Sequence, residues 1–410
     1  MFRESERARL PAGFNRLAWS NLAAQSAEQV ALAAAPLVAV LALGAGPGAT
    51  GALQTAQTLP FLLLAIPAGV LADRVSRRAV MVGAEALRAV SLAGILLLAQ
   101  AGWLTLPLLG LLGLVGACGT VAYSVAAPAL VPSLVPAAAL AAANGRIELA
   151  RTVAFAGGPA LAGALVGWTG GAPAFAVAAA LSACAVFLLA GLREPARPAA
   201  APRRVLRDLR EGAAFVFGHP LLRPVFATQL VFNVAFFMLQ SVYVPHAVHR
   251  LGLSALGVGV TLSTYGIGLV VGALAAPRIM RGLPFGVVVA AGPVAGLAAG
   301  AVMAVTIWIP AAGLAALSFF LLGAGPILWV ISTATLRQTV TPSALLGRAS
   351  AIGMTATGGR PIGAALGALV GGLAGAETCL IVAALGFLLQ ALVILVSPVR
   401  GLARQPEMAV

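Results

Sequence analysis

The sequence predicts an all-α polytopic membrane protein: twelve transmembrane helices in two pseudo-symmetric six-helix halves. Three observations carry that reading. The 410 residues are 61% apolar and 9% charged, with a mean hydropathy of +1.03, where a soluble domain runs nearer about 45–50% apolar and about 25% charged. The apolar residues form long unbroken runs such as Phe285–Val305, with none of the period-two alternation of barrel strands. At about 34 residues per span and loop, the chain accommodates about twelve spans. So little polar surface makes a soluble enzyme, a nucleic-acid binder and a disordered chain poor readings.

Pro, Gly and Arg punctuation sets the segments near 17–43, 49–72, 79–100, 103–127, 141–168, 172–191, 221–245, 255–276, 284–308, 311–335, 345–373 and 377–397. The first, Leu17–Leu43, is too long for a signal-peptide core and carries Glu28 within it. Trp19, Trp103, Trp168 and Trp308 each fall at a segment end, where amphipathic rings sit at membrane interfaces. Between the sixth and seventh segments the polar stretch from Arg193 to Arg210, with Pro195, Pro198 and Pro202, reads as a linker. It divides the chain into 1–191, a cytoplasmic linker 192–220, and 221–410, and its 203–217 portion suits a short amphipathic helix on the membrane surface.

All 25 basic residues are Arg. With this segmentation, 22 of them fall on one side, Arg250 lies on the other, and Arg88 and Arg360 lie inside spans. The positive-inside rule then places both termini in the cytoplasm of a bacterial-type plasma membrane. A net charge of +14 distributed in this way reports orientation and not affinity for nucleic acid. Cys118, Cys184 and Cys379 lie singly in apolar runs, a buried small-hydrophobe pattern without metal or disulfide spacing. The chain has no Lys for a phosphate loop, and no clustered His, Asp or Ser/Lys within the spans. The expectation is therefore a non-enzyme without cofactor or metal.

The halves repeat one another. Gly69-Val-Leu-Ala-Asp73 ends the second segment and Gly272-Ala-Leu-Ala-Ala276 the eighth; Asn144-Gly-Arg146 and Leu346-Gly-Arg348 open the fifth and eleventh; Ala164-Leu-Val-Gly167 recurs as Ala368-Leu-Val-Gly371. The offsets are nearly equal, as a duplicated unit requires.

Gly69-Val-Leu-Ala-Asp73-Arg74-Val-Ser-Arg77-Arg78 resembles the signature of the major facilitator superfamily, with Ser76 in place of its second glycine. Leu59-Pro60, Pro67-Ala-Gly69 and Gly158-Pro159 resemble the branch holding enterobactin exporters and macrolide efflux proteins. The resemblance implies secondary active transport by alternating access. It also implies a cytoplasmic gate in which Gly69, Asp73, Arg74, Arg77 and Arg78 meet the start of the eleventh helix, with Arg348 the candidate partner of Asp73. Thr341-Pro342 suits a cap and first position there. Gly158-Pro159 and Gly163 resemble an antiporter motif of the fifth helix that lacks one glycine here; ordinary small-residue packing explains them equally well.

Ionisable groups within spans are costly and mark pathways. Asn21, Gln25, Glu28 and Gln29 share one helical face. The resemblance implies that helices one, four, seven and ten line a central cavity, which would make Glu28 a proton-coupling carboxylate. Arg360, flanked by Gly358, Gly359 and Pro361, is its expected charge partner, as a modulator of its proton affinity or as a static packing pair. Glu85 with Arg88, and Glu148 with Arg151, read as local pairs. Asn233, Phe236, Phe237 and Gln240 form an amide and aromatic face, suited to a large amphiphile or simply to packing. Tyr123 and Trp329 are weaker cavity candidates, and His246 and His249 read as interfacial. The functional expectation is a proton-coupled exporter of a small amphiphile such as a drug, siderophore or secondary metabolite, conferring multidrug resistance. A proton-coupled importer and a non-transporting receptor or subunit remain open, as does the oligomeric state.

Overall fold

The computed structural model describes residues 11–136, 139–195 and 205–406. Arg3, Arg7, Arg9, Arg197, Arg203 and Arg204, part of the expected linker, and the side chain of Asp73 lie outside the described residues. Among the described residues every regular element is helical. The first six spans are α1 (Ala12–Leu41), α2 (Pro47–Leu63) continued by α3 (Ala65–Arg74), α4 (Arg77–Gln100), α5 (Leu106–Leu134), α6 (Leu140–Thr169) and α7 (Gly171–Ala190). A shorter α8 (Val205–Gly218) follows. Next come α9 (Leu222–His249), α10 (Ala255–Gly282), α11 (Phe285–Val305), α12 (Ala312–Val340), α13 (Ser343–Thr355) and α14 (Gly359–Leu395).

Ten helical segments are long and apolar enough to cross a bilayer, and α2 with α3 forms an eleventh across a 48° bend. One of the ten, Leu345–Leu395, has 51 residues, roughly 77 Å of helix against a hydrocarbon core of about 30 Å. It breaks at Gly375, whose φ of 83° lies outside helical space, and so supplies two spans. The twelve segments expected from the sequence are all present, with ends displaced by a few residues.

Strict alternation puts the turns after α1, α4, α6, α9 and α11, and the Gly375 turn, on the face opposite the termini, here the far face. Five of these six turns use a positive-φ glycine: Gly44, Gly102, Gly170, Gly252 and Gly375. Such a residue reverses a helix end at little steric cost.

Within the first six spans α1 packs on α6 and α7, and α4 on α5 and α7. Within the last six, α9 packs on α14, and α12 on α10 and α11. Two seams join the groups, α2 against α14 and α6 against α10. Both are built from small residues, which let backbones approach. A Cβ on Gly51 would lie 2.4 Å from the Ala368 Cα, and one on Gly163 would lie 2.4 Å from the Ala255 carbonyl oxygen. A buried cluster that includes Leu37, Leu239, Tyr243 and Phe319 bridges the groups toward the far face.

Several expectations need correction. The apolar face of α8 is covered by protein: Val216 is buried with Ala349 and Ile352 of α13, and Leu209 and Ala213 pack around them. Thr341 does not cap α13; Pro342 occupies the N-cap position without a side-chain bond. Of the three cysteines only Cys379 is buried, while Cys184 is exposed. His246 is buried, bonded to the Thr306 hydroxyl at 2.8 Å. The four tryptophans at segment ends are exposed.

Candidate functional site: a charged cavity between the two helix groups

A cavity of about 280 Å³ lies between the two groups. Its floor on the first group comes from α1, α2, α4, α5, α6 and, through Phe175, α7, and the opposing wall from α9, α10, α12 and α14. More helices therefore contribute than the expected four. Pro36 and Pro159 interrupt α1 and α6 beside the cavity, where a missing backbone donor is tolerated if neighbours re-satisfy the chain.

Glu28, Gln29, Asn233, Phe236, Phe237, Gln240 and Arg360 all line this space. Gln25 and Asn21 do not, although they share the stripe; the Asn21 amide instead donates to the Ile147 carbonyl at 3.3 Å. Tyr123 lies outside the lining and Trp329 is buried beside Gly292. The aromatic wall is continuous: Phe236 stacks on Phe232 at 5.7 Å, meets Phe237 edge-on at 5.3 Å and lies 5.9 Å from Tyr265. Such a surface offers apolar area with few rotamers to freeze.

The charges pair differently from the expectation. Among the described residues no carboxylate forms a salt bridge with Arg360. Its guanidinium sits 4.8 Å from the Phe61 ring centroid and 5.5 Å from that of Phe237, and its Nε donates to Asn233 Oδ1 at 3.5 Å. Stacked on two rings, the cation is stabilised by their negative faces. Glu28 acts on it across the cavity without touching it. The contact partner of Glu28 is Arg88, at 3.6 Å, and the same guanidinium lies 2.8 Å from Glu85. Arg88 also donates to the Ala24 carbonyl at 3.0 Å and to the Thr120 hydroxyl at 2.8 Å. The pair read as local is thus two members of a three-member cluster. Glu85 is sealed, whereas Glu28 keeps 18% of its side chain exposed to the cavity.

The gate motif does structural work within the first group. Ser76, the departure from the signature, caps α4 by accepting from the Ala79 amide, and its hydroxyl donates to Glu194 at 2.5 Å. The backbone amides of Arg77 and Arg78 donate to the same carboxylate at 3.2 and 3.1 Å. The Arg77 side chain reaches the Ala129 carbonyl, and that of Arg78 the Leu189 and Ala190 carbonyls. Gly69 faces Val125 in ordinary contact, and Arg74 is exposed. Arg348, expected opposite Asp73, instead binds Asp208 at 2.9 Å and Glu211 at 2.7 Å on α8. The Arg207 side chain and Arg348 hold the Glu211 carboxyl below its ordinary range.

Gly158, Pro159 and Gly163 sit at two crossings. A Cβ on Gly158 would meet the Gln29 side chain of α1 at 2.5 Å, whereas Pro159 and Gly163 face Gly259 of α10. The motif brings α6 against the cavity-lining helix and across the seam.

Gln54, Gln57, Thr58 and Phe61, which no sequence motif singles out, line the cavity from α2. Their spacing of three, four and seven residues is nevertheless a helical-face signal in the sequence. Phe155, Tyr265 and Phe319 carry no such signal, since single aromatics in apolar runs look like packing.

Comparison with known proteins places this geometry. Residues 14–408 match the family model MFS_3, described as a transmembrane secretion effector. The chain is 30% identical over 347 residues to "Uncharacterized MFS-type transporter y4rN" of Sinorhizobium fredii (strain NBRC 101917 / NGR234), covering 80% of this chain and 82% of that one. Among solved structures it is similar to the nucleoside transporter NupG, with a TM-score of 0.76, 16% identity, and coverage of 94% and 98% of the two chains. It is also similar to a bacterial homologue of the iron transporter ferroportin in an inward-facing state, with a TM-score of 0.74, 16% identity, and coverage of 93% and 98%.

Proposed function

The chain belongs to the major facilitator superfamily of membrane transporters, and from that premise we propose that it is a proton-coupled exporter of a small amphiphile. One observation carries the coupling: Glu28 presents a carboxylate to a membrane-embedded cavity while its arginine partner is already engaged by another acid. Such a carboxylate is poised to gain and lose a proton as its surroundings change. The family description, a secretion effector, supports the outward direction.

The groups 1–191 and 221–410 act as lobes that rock around the cavity, joined by the linker 192–220. Close glycine contacts in both seams toward the far face support a state closed on that side. With the termini in the cytoplasm of a bacterial plasma membrane, as the arginine asymmetry supports, that state is open inward. In the cycle, cargo leaves toward the far side, Glu28 takes a proton there, and the return of the empty carrier delivers the proton to the cytoplasm. The aromatic wall receives the apolar body of the cargo, and Gln240 and Asn233 its polar groups. In the outward leg, separation of the seams opens the far side, while Asp73 and its neighbouring arginines meet the second lobe.

A second reading, uptake, draws on the neutral amides Gln54, Gln57, Asn233 and Gln240, which suit a polar ligand. The same assay separates the two. In inside-out vesicles with an acid lumen, ethidium is expected to accumulate inside and to dissipate the pH gradient reported by a fluorescent amine. Glu28→Gln is expected to abolish both. Proton movement in the same direction as the probe, or full gradient-driven accumulation by Glu28→Gln, overturns the exporter scheme.

A further inference from the structure

Arg88 is one cation between two acids. Its guanidinium is 2.8 Å from Glu85 and 3.6 Å from Glu28, and the pair of carboxylates would leave the cluster one negative charge in excess if both were ionised. Glu85 has no solvent access, and neither of its oxygens receives an aligned hydrogen bond. The groups that face it come from four helices. From α1 comes Glu28, from α5 Tyr123, which itself faces Ser20 of α1, and from α7 the hydroxyl of Ser182; α4 itself supplies only Arg88. Arg74, at the end of α3, precedes α4 and lies more than two helical turns from Glu85 along the chain. The Tyr123 and Ser182 hydroxyls are buried, Ser182 beside Glu85 and Tyr123 beside Ser20, with neither in an aligned hydrogen bond. Arg360 and Arg151 act on Glu28 from a distance, but among the described residues no cation other than Arg88 forms a salt bridge with either carboxylate.

A sealed excess charge is far costlier than a neutral carboxyl. We propose that Glu85 is a second proton-binding carboxyl, which shares Arg88 and a single proton with Glu28. The exchange conserves both charge and atoms. When Arg88 lies on Glu85, that acid is ionised and Glu28 holds the proton; when Arg88 turns to Glu28, the proton resides on Glu85. The Ser182 hydroxyl beside Glu85 then faces a group able to donate as well as accept. The cavity-facing acid is thereby linked to a reserve position inside the first lobe, with the arginine selecting between them.

This inference rests on the coupling role of Glu28, but the test separates the two. Infrared difference spectra of the full-length protein in liposomes report the carbonyl stretch of a protonated carboxyl within the membrane without need of cargo. The wild type at neutral pH is expected to show one such group per molecule. Glu85→Gln and Glu28→Gln are each expected to lose it, because one acid and one arginine balance without a proton. Absence of the band in the wild type, or its survival in either variant, overturns the proposal. Should Glu85→Gln fail to fold, Glu28→Gln alone decides. A missing band with ethidium transport still dependent on Glu28 defeats the shared proton and leaves coupling intact. A band behaving as expected, with transport indifferent to Glu28→Gln, defeats coupling and leaves the shared proton intact.

Discussion

Replacing Gly163 by alanine is the sharpest test of how the far-face seam works. The new Cβ would lie 2.4 Å from the Ala255 carbonyl oxygen and 3.0 Å from the Gly259 Cα, where ordinary contact begins at 3.4 Å. Both obstacles are backbone, so rotamer changes cannot relieve the overlap, and α6 and α10 must part by about 1 Å. Overpacking of this kind costs about 1–3 kcal/mol. Because the strain exists only while the seam is closed, the penalty falls on one conformer, and the closed-to-open ratio shifts by about 5- to 150-fold. A Cβ on Gly157, on the same helix, would meet nothing within 4 Å, so Gly157→Ala is the matched control. Spin labels at Trp103→Cys and Trp308→Cys, both exposed and on far-face turns of different groups, report the separation in a background lacking the three native cysteines. Gly163→Ala is expected to populate longer distances, and Gly157→Ala to reproduce the wild type. Identical distance distributions for both variants would refute the argument that this glycine contact holds the far side shut.

Other outcomes follow from the same structure. Arg88→Met strands two acids and is expected to lower stability by about 3–5 kcal/mol, read as a reduced Tm; adding Glu85→Gln should restore part of it. Gly375→Ala forces a side chain into left-handed backbone and is expected to cost roughly 1–2 kcal/mol, seen as earlier thermal unfolding. Glu211 has its carboxyl pKa depressed by Arg207 and Arg348. Its stabilising contribution is therefore complete above the ordinary carboxylate value of about 4.3 and is lost as pH falls through the lowered value. Amide exchange in α8 should accelerate only in strong acid, or when salt screens the pairs; unchanged exchange in Arg348→Ala would show that the ions do not hold this helix.

The architecture was legible because bilayer geometry imposes a length on each apolar run, and the expected segment ends fall close to the observed ones. Position within the cavity was legible for Glu28, Asn233 and Gln240, whose polarity stands out in apolar surroundings. Pairing was not. Arg360 looked as though it required Glu28, yet two aromatic rings and an amide surround it, and aromatic residues in a membrane sequence advertise no such role. Glu85 and Arg88 satisfied a three-residue helical spacing, which concealed the third member on another helix. Likewise Glu194, which organises the start of α4, belongs to no recognisable motif; its partners include the Ser76 hydroxyl and two backbone amides brought near by the fold. Depth and periodicity are properties of one helix, whereas choice of partner depends on how helices are rotated against their neighbours.

The left-handed glycines bear on what the far face presents. Five of the six far-side reversals are fixed by a single residue each, so consecutive helices are joined there by tight hairpin turns and not by long loops. Little hydrophilic chain therefore lies on the face opposite the termini. The completed transporter accordingly offers antibodies and other surface ligands little to grip on that side.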